Sequence, residues 1–206
     1  MSSFQARAAE QSRKLSYEEF LDWCDEDTLA EWVNGDIVMI SPASSSHQAI
    51  ADFLLIVLKV YVEQRELGRV ISAPFQMKTN PALSGREPDL LFIAWENLGR
   101  LKNTYLDGSA DLVVEIVSPA SRLRDRGEKL AEYEIGGVRE YWIIDPAERR
   151  TDFYVLATDG RYERQRADAH GVYRSQVVAG FWLKEEWLWQ ESLPKVLSVL
   201  HELGVV

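Results

Sequence analysis

Two carboxylates in the middle of the chain have the surroundings of a metal-dependent hydrolytic site. Asp89 directly precedes an apolar run at residues 90–94, and Glu115 lies inside a second apolar run at residues 111–117. An ionised carboxylate in a buried strand must be paired or bound to a metal. If the two strands are neighbours, the carboxylates converge, and with few His or Cys residues nearby they favour Mg²⁺ or Mn²⁺ over zinc. Such a cation activates water and neutralises a scissile phosphate, so the pattern predicts phosphodiester hydrolysis.

A lysine on the helix predicted after Glu115 is placed to assist. Lys129 has Asp125 four residues before it and Tyr133 four residues after it, so the three side chains share one helix face. A lysine near the metal would orient or deprotonate the water and stabilise the transition state electrostatically. The alternative is that Lys129 is a solvated partner of Asp125, an interaction worth only a few tenths of a kcal/mol.

Glu31 and His47 are candidates for the periphery of the site. Glu31 shares one face of a predicted strand with Leu29 and Val33, so we expect its carboxylate to be buried and to need a partner. It is either an auxiliary catalytic acid or an ordinary acid of an edge strand. His47 lies in the first turn of a predicted helix, where it either contacts a phosphate or simply caps the helix.

Positive charge is scarce, although one predicted helix carries a local cluster. The net charge of −10 repels phosphate backbones unless basic residues cluster or bound cations offset it. Arg122, Arg124 and Arg126 supply such a cluster beside the acids, but charged helices are usually just solvated faces. The predicted substrate contacts are His47, Arg122, Arg126 and Tyr133.

The hydrophobic pattern predicts a flexible polar arm at residues 1–14 and one α/β domain over residues 15–206. Ser16 begins a capping box, and Asn34-Gly35 between two apolar runs is typical of a β-hairpin turn. Central strands with a crossover helix, together with an N-terminal and a C-terminal hairpin, predict a mixed sheet with helices on both faces. The pattern also predicts a helix at residues 47–67, an exposed loop at 81–86, a strand at 172–178 and a helix at 194–203.

Composition restricts the cellular setting. Cys24 is the single cysteine, which excludes an internal disulfide framework and favours a reducing cytoplasm. The first 14 residues lack the apolar core of a secretory signal. The longest apolar stretch, at residues 49–62, contains Asp52 and Lys59 and is too short to span a bilayer. We therefore expect a cytoplasmic protein with no membrane partner.

A series of short motifs keeps a specific order and spacing along the chain. In sequence order they are Glu31, Gly35, Ser41-Pro42, His47, Pro88-Asp89, Glu115, Ser118-Pro119, Asp125, Lys129, Tyr133, Gly137-Val138, Glu140-Tyr141-Trp142 and Asp145-Pro146. Together they resemble the Uma-two family of endonucleases, within the PD-(D/E)xK restriction-endonuclease-like superfamily. The resemblance extends from about Ser16 to Asp145 and more loosely beyond.

The resemblance implies a restriction-endonuclease-like core, a divalent cation and hydrolysis of nucleic-acid phosphodiesters. It makes Asp89 the Asp of the PD element and Glu115 the acid of the second element. The chain departs from the superfamily at Val117, which replaces the lysine expected two residues after that acid. Lys129 would then have to supply the amine from the following helix.

Two functions from different classes remain open at this stage. The first is a nuclease with Asp89 and Glu115 as metal ligands, Lys129 and Glu31 as catalytic partners, and DNA favoured over RNA. The second is a non-catalytic interaction protein on the same fold. A homodimer is expected in either case. Its candidate contacts are Trp182, Trp187 and Trp189, for which plain core packing is the alternative.

Overall fold

The computed structural model describes residues 14–25, 28–40, 43–119 and 121–205. The arm predicted at residues 1–14 lies outside the described residues except for Lys14. Short 3₁₀ turns occupy Trp95–Arg100 and Glu185–Trp189. The helices are α1 (Tyr17–Trp23), α2 (Ser45–Gln64), α3 (Arg122–Arg126), α4 (Glu128–Gly136) and α5 (Val196–Glu202). The strands are β1 (Ala30–Val33), β2 (Asp36–Met39), β3 (Gly68–Ser72), β4 (Gln76–Lys78), β5 (Gly85–Arg86), β6 (Leu90–Ala94), β7 (Tyr105–Asp107), β8 (Leu112–Ile116), β9 (Glu140–Asp145), β10 (Arg150–Leu156), β11 (Tyr162–Gln165), β12 (Val172–Arg174) and β13 (Trp182–Lys184).

A mixed sheet with the strand order β11-β10-β9-β8-β6-β3 forms the centre of the fold. β8 and β9 run parallel, with Val113 opposite Tyr141, and the neighbouring pairs on either side are antiparallel. Parallel neighbours need a crossover connection, which α3 and α4 provide. Both strands are buried along their whole length, as expected where each face of a sheet is covered. The predicted mixed sheet flanked by helices is confirmed.

Alternate residues of the central strands face two different cores. Val114 and Trp142 pack with α2 and the C-terminal segment on one face of the sheet. Val113 and Tyr141 pack on the opposite face, which α4, β4 and β7 cover. Because side chains alternate with a period of two, Glu115 lies on the same face as Val113. The fold therefore directs the carboxylate of Glu115 toward α4.

The long helix α2 packs across the central sheet and begins at the cavity described below. Its N-cap is Ser44, whose hydroxyl oxygen accepts a hydrogen bond from the backbone N–H of His47 at 3.2 Å. By length and apolar composition alone α2 could cross a membrane. Leu54 and Val57 are nevertheless fully buried in the core, and each such side chain contributes about 1.5–3 kcal/mol. The helix ends at Gln64, earlier than predicted, because Glu66 takes a left-handed φ of 52° and leads directly into β3.

A second sheet has the strand order β2-β1-β5-β4-β7. The predicted hairpin is confirmed, since β1 and β2 pair antiparallel with Ala30 opposite Met39. Asn34 and Gly35 at its turn have φ angles of 52° and 89°, as a type I′ turn requires. The capping box at Ser16 is also present and starts α1. This sheet carries Glu31 to the edge of the central sheet.

The prediction of an exposed loop at residues 81–86 is wrong for the second half of this segment. Gly85 and Arg86 form β5, which pairs with both β1 and β4. Arg86 is 1% exposed and forms ion pairs with three carboxylates from distant segments, Glu31, Glu128 and Glu132. The turn-forming residues around it suggest a loop, whereas these long-range contacts determine its burial. The strand predicted at residues 172–178 is also shorter and ends at Arg174.

The tryptophans proposed as dimer contacts belong to the core of this chain. Trp187 is 3% exposed within the cluster that includes α2, and Trp182 and Trp189 pack against that cluster. The rings of Trp182 and Trp187 lie 5.2 Å apart, within the range of favourable aromatic pairs. Core packing, the alternative considered above, accounts for all three residues, so they give no support to a dimer.

Candidate active site

A cavity of about 440 Å³ opens at the N-terminus of α2, where β6 and β8 meet. The β1–β2 hairpin bounds it on one side and the crossover between β8 and β9 on the other. Five residues predicted from the sequence line it: Glu31, His47, Asp89, Glu115 and Lys129. Side chains that are separated by up to 98 positions in the sequence therefore share one compartment.

Asp89 and Glu115 converge because of the register between β6 and β8. Leu91 lies opposite Val113 and Leu90 opposite Val114, so Asp89, the residue before β6, and Glu115 lie at the same end of this strand pair. Both side chains line the cavity, and the charge of Asp89 contributes to the raised pKa of Glu115. The backbone N–H of Ile116 donates to Oδ2 of Asp89 at 2.6 Å and holds this carboxylate at the strand end.

Lys129 lies at the centre of the acidic group. Its Nζ is 2.8 Å from Oε1 of Glu115, 2.9 Å from Oε1 of Glu31 and 3.6 Å from Oδ1 of Asp125. The side chain is 4% exposed, so the solvated pair with Asp125 is the wrong interpretation of this lysine. Tyr133, predicted as a substrate contact, instead donates its hydroxyl to Oε1 of Glu115 at 2.8 Å. One turn of α4 therefore provides two donors to the same carboxylate oxygen.

Arg122 and Arg126 position the crossover helices and do not contact the cavity. Arg122 lies 3.2 Å from the fully buried carboxylate of Asp145, and Arg126 donates to Asp152 and lies 3.5 Å from Asp145. Both arginines are therefore engaged by buried acids, and their contact with substrate stays a prediction. By fixing α3 on β9 and β10, they turn the opposite side of the crossover toward Glu115. Arg124, which lies between them, does line the cavity.

Glu31 is held by three cations, of which sequence reasoning identified one. Arg86 binds it at 3.1 Å, and Arg124 lies 3.7 Å away, in addition to Lys129. Burial opposes ionisation of Glu31, but the charges of Lys129 and Arg86 outweigh it and lower its pKa. Arg86 also donates to Glu132 on α4 at 2.7 Å, so it links β1 to the helix that carries the lysine. No local pattern marks Arg86, since its partners Glu31, Glu128 and Glu132 all lie more than 40 residues away.

Glu115 and Lys129 form a buried pair with opposite electrostatic tendencies. Burial raises the pKa of Glu115 to about 8, with further contributions from Asp125 and Asp89, although Lys129 opposes the shift. Burial also disfavours the charge on Lys129, but Glu115 and Glu31 outweigh it and raise the pKa of the lysine. Lys129 therefore stays protonated, whereas burial favours the neutral form of Glu115, a preference that a bound cation would oppose.

His47 and Glu87 complete the polar lining. Nε2 of His47 is 3.3 Å from Oδ2 of Asp89. Burial opposes protonation of His47, but the hydrogen bond and charge of Asp89 raise its pKa. Glu87 accepts a hydrogen bond from Nε2 of Gln76 at 2.9 Å, and burial raises its pKa to about 7. The sequence identified His47, but Glu87 was not selected because it stands before the strand.

The oxygen donors of the cavity fit a hard divalent cation that keeps several waters. Among the described residues, no group of three or more His, Cys, Asp or Glu side chains is arranged to hold a metal by itself. Hydrogen bonds in the described structure engage Oδ2 of Asp89 and Oε1 of Glu115, which leaves the other oxygen of each carboxylate for a ligand. Mg²⁺ is bound in proteins by one or two carboxylates plus water, so this pair fits it.

Comparison with known proteins identifies the family. The sequence model of the Uma2 family, described as "Putative restriction endonuclease", matches residues 17–186. The chain belongs to the Uma2 family. This membership confirms the resemblance inferred from the ordered motifs. The matched range includes every residue that lines the cavity described above.

A solved structure with a similar fold supports the architecture of this Uma2 protein. It is titled a putative nuclease belonging to DUF820 from Anabaena variabilis, with a TM-score of 0.69 and 19% sequence identity. The alignment covers 85% of this chain and 97% of that chain. At this identity the likeness shows the fold. A search of curated proteins gave no match.

Proposed function

We propose that this Uma2 protein is a nuclease that hydrolyses nucleic-acid phosphodiester bonds with the help of Mg²⁺ or Mn²⁺, with DNA as the favoured polymer. The family description, a restriction endonuclease, supports the reaction class. One observation carries the assignment to residues: Nζ of Lys129 lies within 3 Å of both Glu115 and Glu31 in the cavity that Asp89 also lines. Carboxylates and an ammonium group in one compartment are the components of metal-assisted phosphodiester hydrolysis.

The position of Lys129 compensates for Val117. Val117 is buried in the core formed with α4, so its position carries an apolar contact rather than an amine. Lys129 enters the same space from α4 and reaches Glu115 at hydrogen-bond distance. Lys129 thus supplies an amine beside Glu115 from α4, where the sequence has Val117 in place of a lysine.

Each residue then has a defined task. Asp89 and Glu115 would hold the cation, which would lower the pKa of a bound water and offset the charge of the phosphate. Lys129 remains protonated, so it orients the water and stabilises negative charge on the phosphate rather than accepting a proton. Glu31 fixes the ammonium by its bond at 2.9 Å. His47 lies at the cavity wall beside Asp89, where its ring N–H can contact a phosphate oxygen.

The direct test is cleavage of plasmid and oligonucleotide DNA, with RNA in parallel, by purified protein in Mg²⁺, in Mn²⁺ and in EDTA. We expect cleavage with either cation and none in EDTA. The matched variants are Glu115→Gln and Glu140→Gln, which alter one buried strand carboxylate each. Only the first should abolish cleavage.

Mn²⁺ binding followed by calorimetry separates this proposal from a non-catalytic protein on the same fold. Absence of both cleavage and Mn²⁺ binding at millimolar concentration would reject the nuclease. Equal cleavage by wild type and Glu115→Gln would identify a contaminating enzyme.

A further inference from the structure

An apolar wall forms part of the cavity lining and shares the β1–β2 hairpin with Glu31. Leu29, Met39, Ile40 and Ala43 line it, and all belong to the β1–β2 hairpin or its flanks. Met39 is 52% exposed and Leu29 is 40% exposed, so both side chains face the open space of the cavity. Ile40 donates its backbone N–H to the carbonyl oxygen of Leu29 at 2.9 Å, which keeps the apolar side chains together at the end of the hairpin.

We propose that this apolar wall receives the base of one unpaired nucleotide, so that the preferred substrate is single-stranded nucleic acid or a single-stranded end rather than continuous duplex. The inference rests on the proposed function, because the carboxylates are taken to face the scissile phosphate. Leu29 and Met39 line the same cavity as Asp89 and Glu115, so a nucleotide whose phosphate lies at the carboxylates can place its base against them. Unpaired bases expose apolar faces that side chains can contact, whereas paired bases are stacked within the duplex.

The size of the cavity agrees with a single nucleotide. Its volume is about 440 Å³, near the lower end of the roughly 300–1,000 Å³ of pockets that enclose one small ligand. A double helix offers no protruding group that fills such a concave space unless a base leaves the stack. The concave shape therefore favours a strand end, a flap or an unpaired segment.

The distribution of charge points the same way. Duplex binding depends on many contacts between cationic side chains and phosphates. The described cavity has Arg124 and Lys129 as its permanently cationic lining residues, and both are shared with buried Glu31. With a net charge of −10 as well, a long phosphate track is disfavoured. Affinity must therefore come largely from the base, which the apolar wall contacts.

Binding measurements test the inference independently of hydrolysis. Fluorescence anisotropy would compare a labelled 12-nucleotide single strand, the blunt duplex of the same sequence and that duplex with a four-nucleotide overhang. Ca²⁺ would replace Mg²⁺, with intact substrate verified on gels. We expect the single strand and the overhang to bind at least tenfold more tightly than the blunt duplex. The logarithm of the single-strand affinity should fall against log salt with a slope of only about −0.7 to −1.4, as for one or two phosphate contacts.

The matched variants are Leu29→Ser with Met39→Ser, and Leu197→Ser as the control. Leu197 is 72% exposed on α5 and does not line the cavity. The double variant should weaken single-strand binding about tenfold and leave duplex binding unchanged, whereas the control should change neither. Circular dichroism would verify that all variants fold.

Equal affinity for duplex and single strand, or an unchanged affinity in the double variant, would overturn the inference. These outcomes are distinct from failure of the proposed function. That failure would appear as strand-selective binding without metal-dependent cleavage. Cleavage of blunt duplex at the same rate as single strand would instead support the nuclease and show that the apolar wall plays no role in choosing single-stranded substrate.

Discussion

Glu115 and Glu140 are buried carboxylates on adjacent strands, yet they lie on opposite faces of the central sheet and have opposite surroundings. Glu140 accepts hydrogen bonds on both oxygens from neutral donors, and its described contacts include no cation. Glu115 is bonded through one oxygen, by the ammonium of Lys129 and the hydroxyl of Tyr133. Burial raises the pKa of both groups, so burial alone does not distinguish them.

The donors around Glu140 explain its structural role. Trp142 and Tyr173 bond one oxygen at 2.6 and 2.9 Å, and Ser175 with the backbone of residues 176 and 177 bonds the other. These contacts attach the segment after β12 to the central sheet. A carboxylate whose acceptors are all occupied in this way has no capacity left for a ligand.

Glu115 lines the cavity, has one oxygen without a described hydrogen bond and has a cation as its partner. The comparison indicates how a buried acid with a functional role can be recognised. Such an acid lines a cavity and has a carboxylate oxygen that accepts no hydrogen bond within the protein. The acids of β9 and β10 follow the same rule, since Asp145 and Asp152 are saturated by arginines and hold α3 in place.

The largest effect expected from this comparison is on catalysis by Glu115→Gln. The amide keeps the size of the side chain but removes the negative charge that would hold the cation. Loss of several kcal/mol of transition-state stabilisation corresponds to a rate decrease on the order of 10³-fold. Single-turnover cleavage in saturating Mn²⁺ measures it. A decrease of less than tenfold would show that Glu115 is no metal ligand.

Lys129→Met should reduce both activity and stability. Removing the ammonium leaves Glu31 and Glu115 buried without it, which costs about 3–5 kcal/mol of unfolding free energy. Cleavage should fall about 10²-fold, as when one electrostatic stabiliser is removed.

Lys129→Met combined with Glu31→Gln separates the two effects of the lysine. The double variant removes one negative charge from the acidic cluster that has lost its ammonium and should recover part of the stability but none of the activity. Urea unfolding and single-turnover kinetics on the same preparations test this. Recovery of activity together with stability would reduce Lys129 to a structural role.

Glu140→Gln should reduce stability and leave activity unchanged. Its amide nitrogen would face donors such as the Trp142 indole or the backbone N–H of Gln176, so the variant should lose about 1–3 kcal/mol of stability. Activity per folded molecule should remain unchanged, because Glu140 does not line the cavity. Urea unfolding monitored by tryptophan fluorescence measures this loss of stability. A loss of metal-dependent cleavage at full folding would contradict the division between the two faces.

Sequence patterns could predict what depends on neighbouring residues. The apolar run around Glu115 indicates a carboxylate whose burial costs free energy. Asn34-Gly35 predicts a hairpin, and that hairpin places Glu31 in a sheet. The face shared by Asp125, Lys129 and Tyr133 also follows from helical spacing, and the structure places all three next to Glu115 or each other.

Contacts between distant segments were beyond such patterns. Arg86 is buried only because β5 inserts between β1 and β4, so a turn-like sequence becomes a strand. The sequence also did not predict how α3 is oriented about its own axis. A helix of five residues has too little periodicity to show which arginine faces the cavity. Asp145 and Asp152 decide that rotation by binding Arg122 and Arg126, which leaves Arg124 for the cavity.

The smallest effect expected is a pH dependence of metal binding that separates the two acids. The pKa of Glu115 is raised to about 8 from an ordinary value of 4.5, so below pH 8 a cation must displace its proton. Mn²⁺ affinity should therefore increase between pH 6 and pH 8, by up to about tenfold per pH unit for one displaced proton. Metal-free stability should change in the opposite direction, because the unfolded chain loses this proton near pH 4.5 and the folded chain retains it to about pH 8. Calorimetry in buffers of different ionisation enthalpy counts the released proton. Glu140→Gln should keep the slope and Glu115→Gln should remove it, whereas a flat affinity in the wild type would mean that Glu115 already binds without losing a proton.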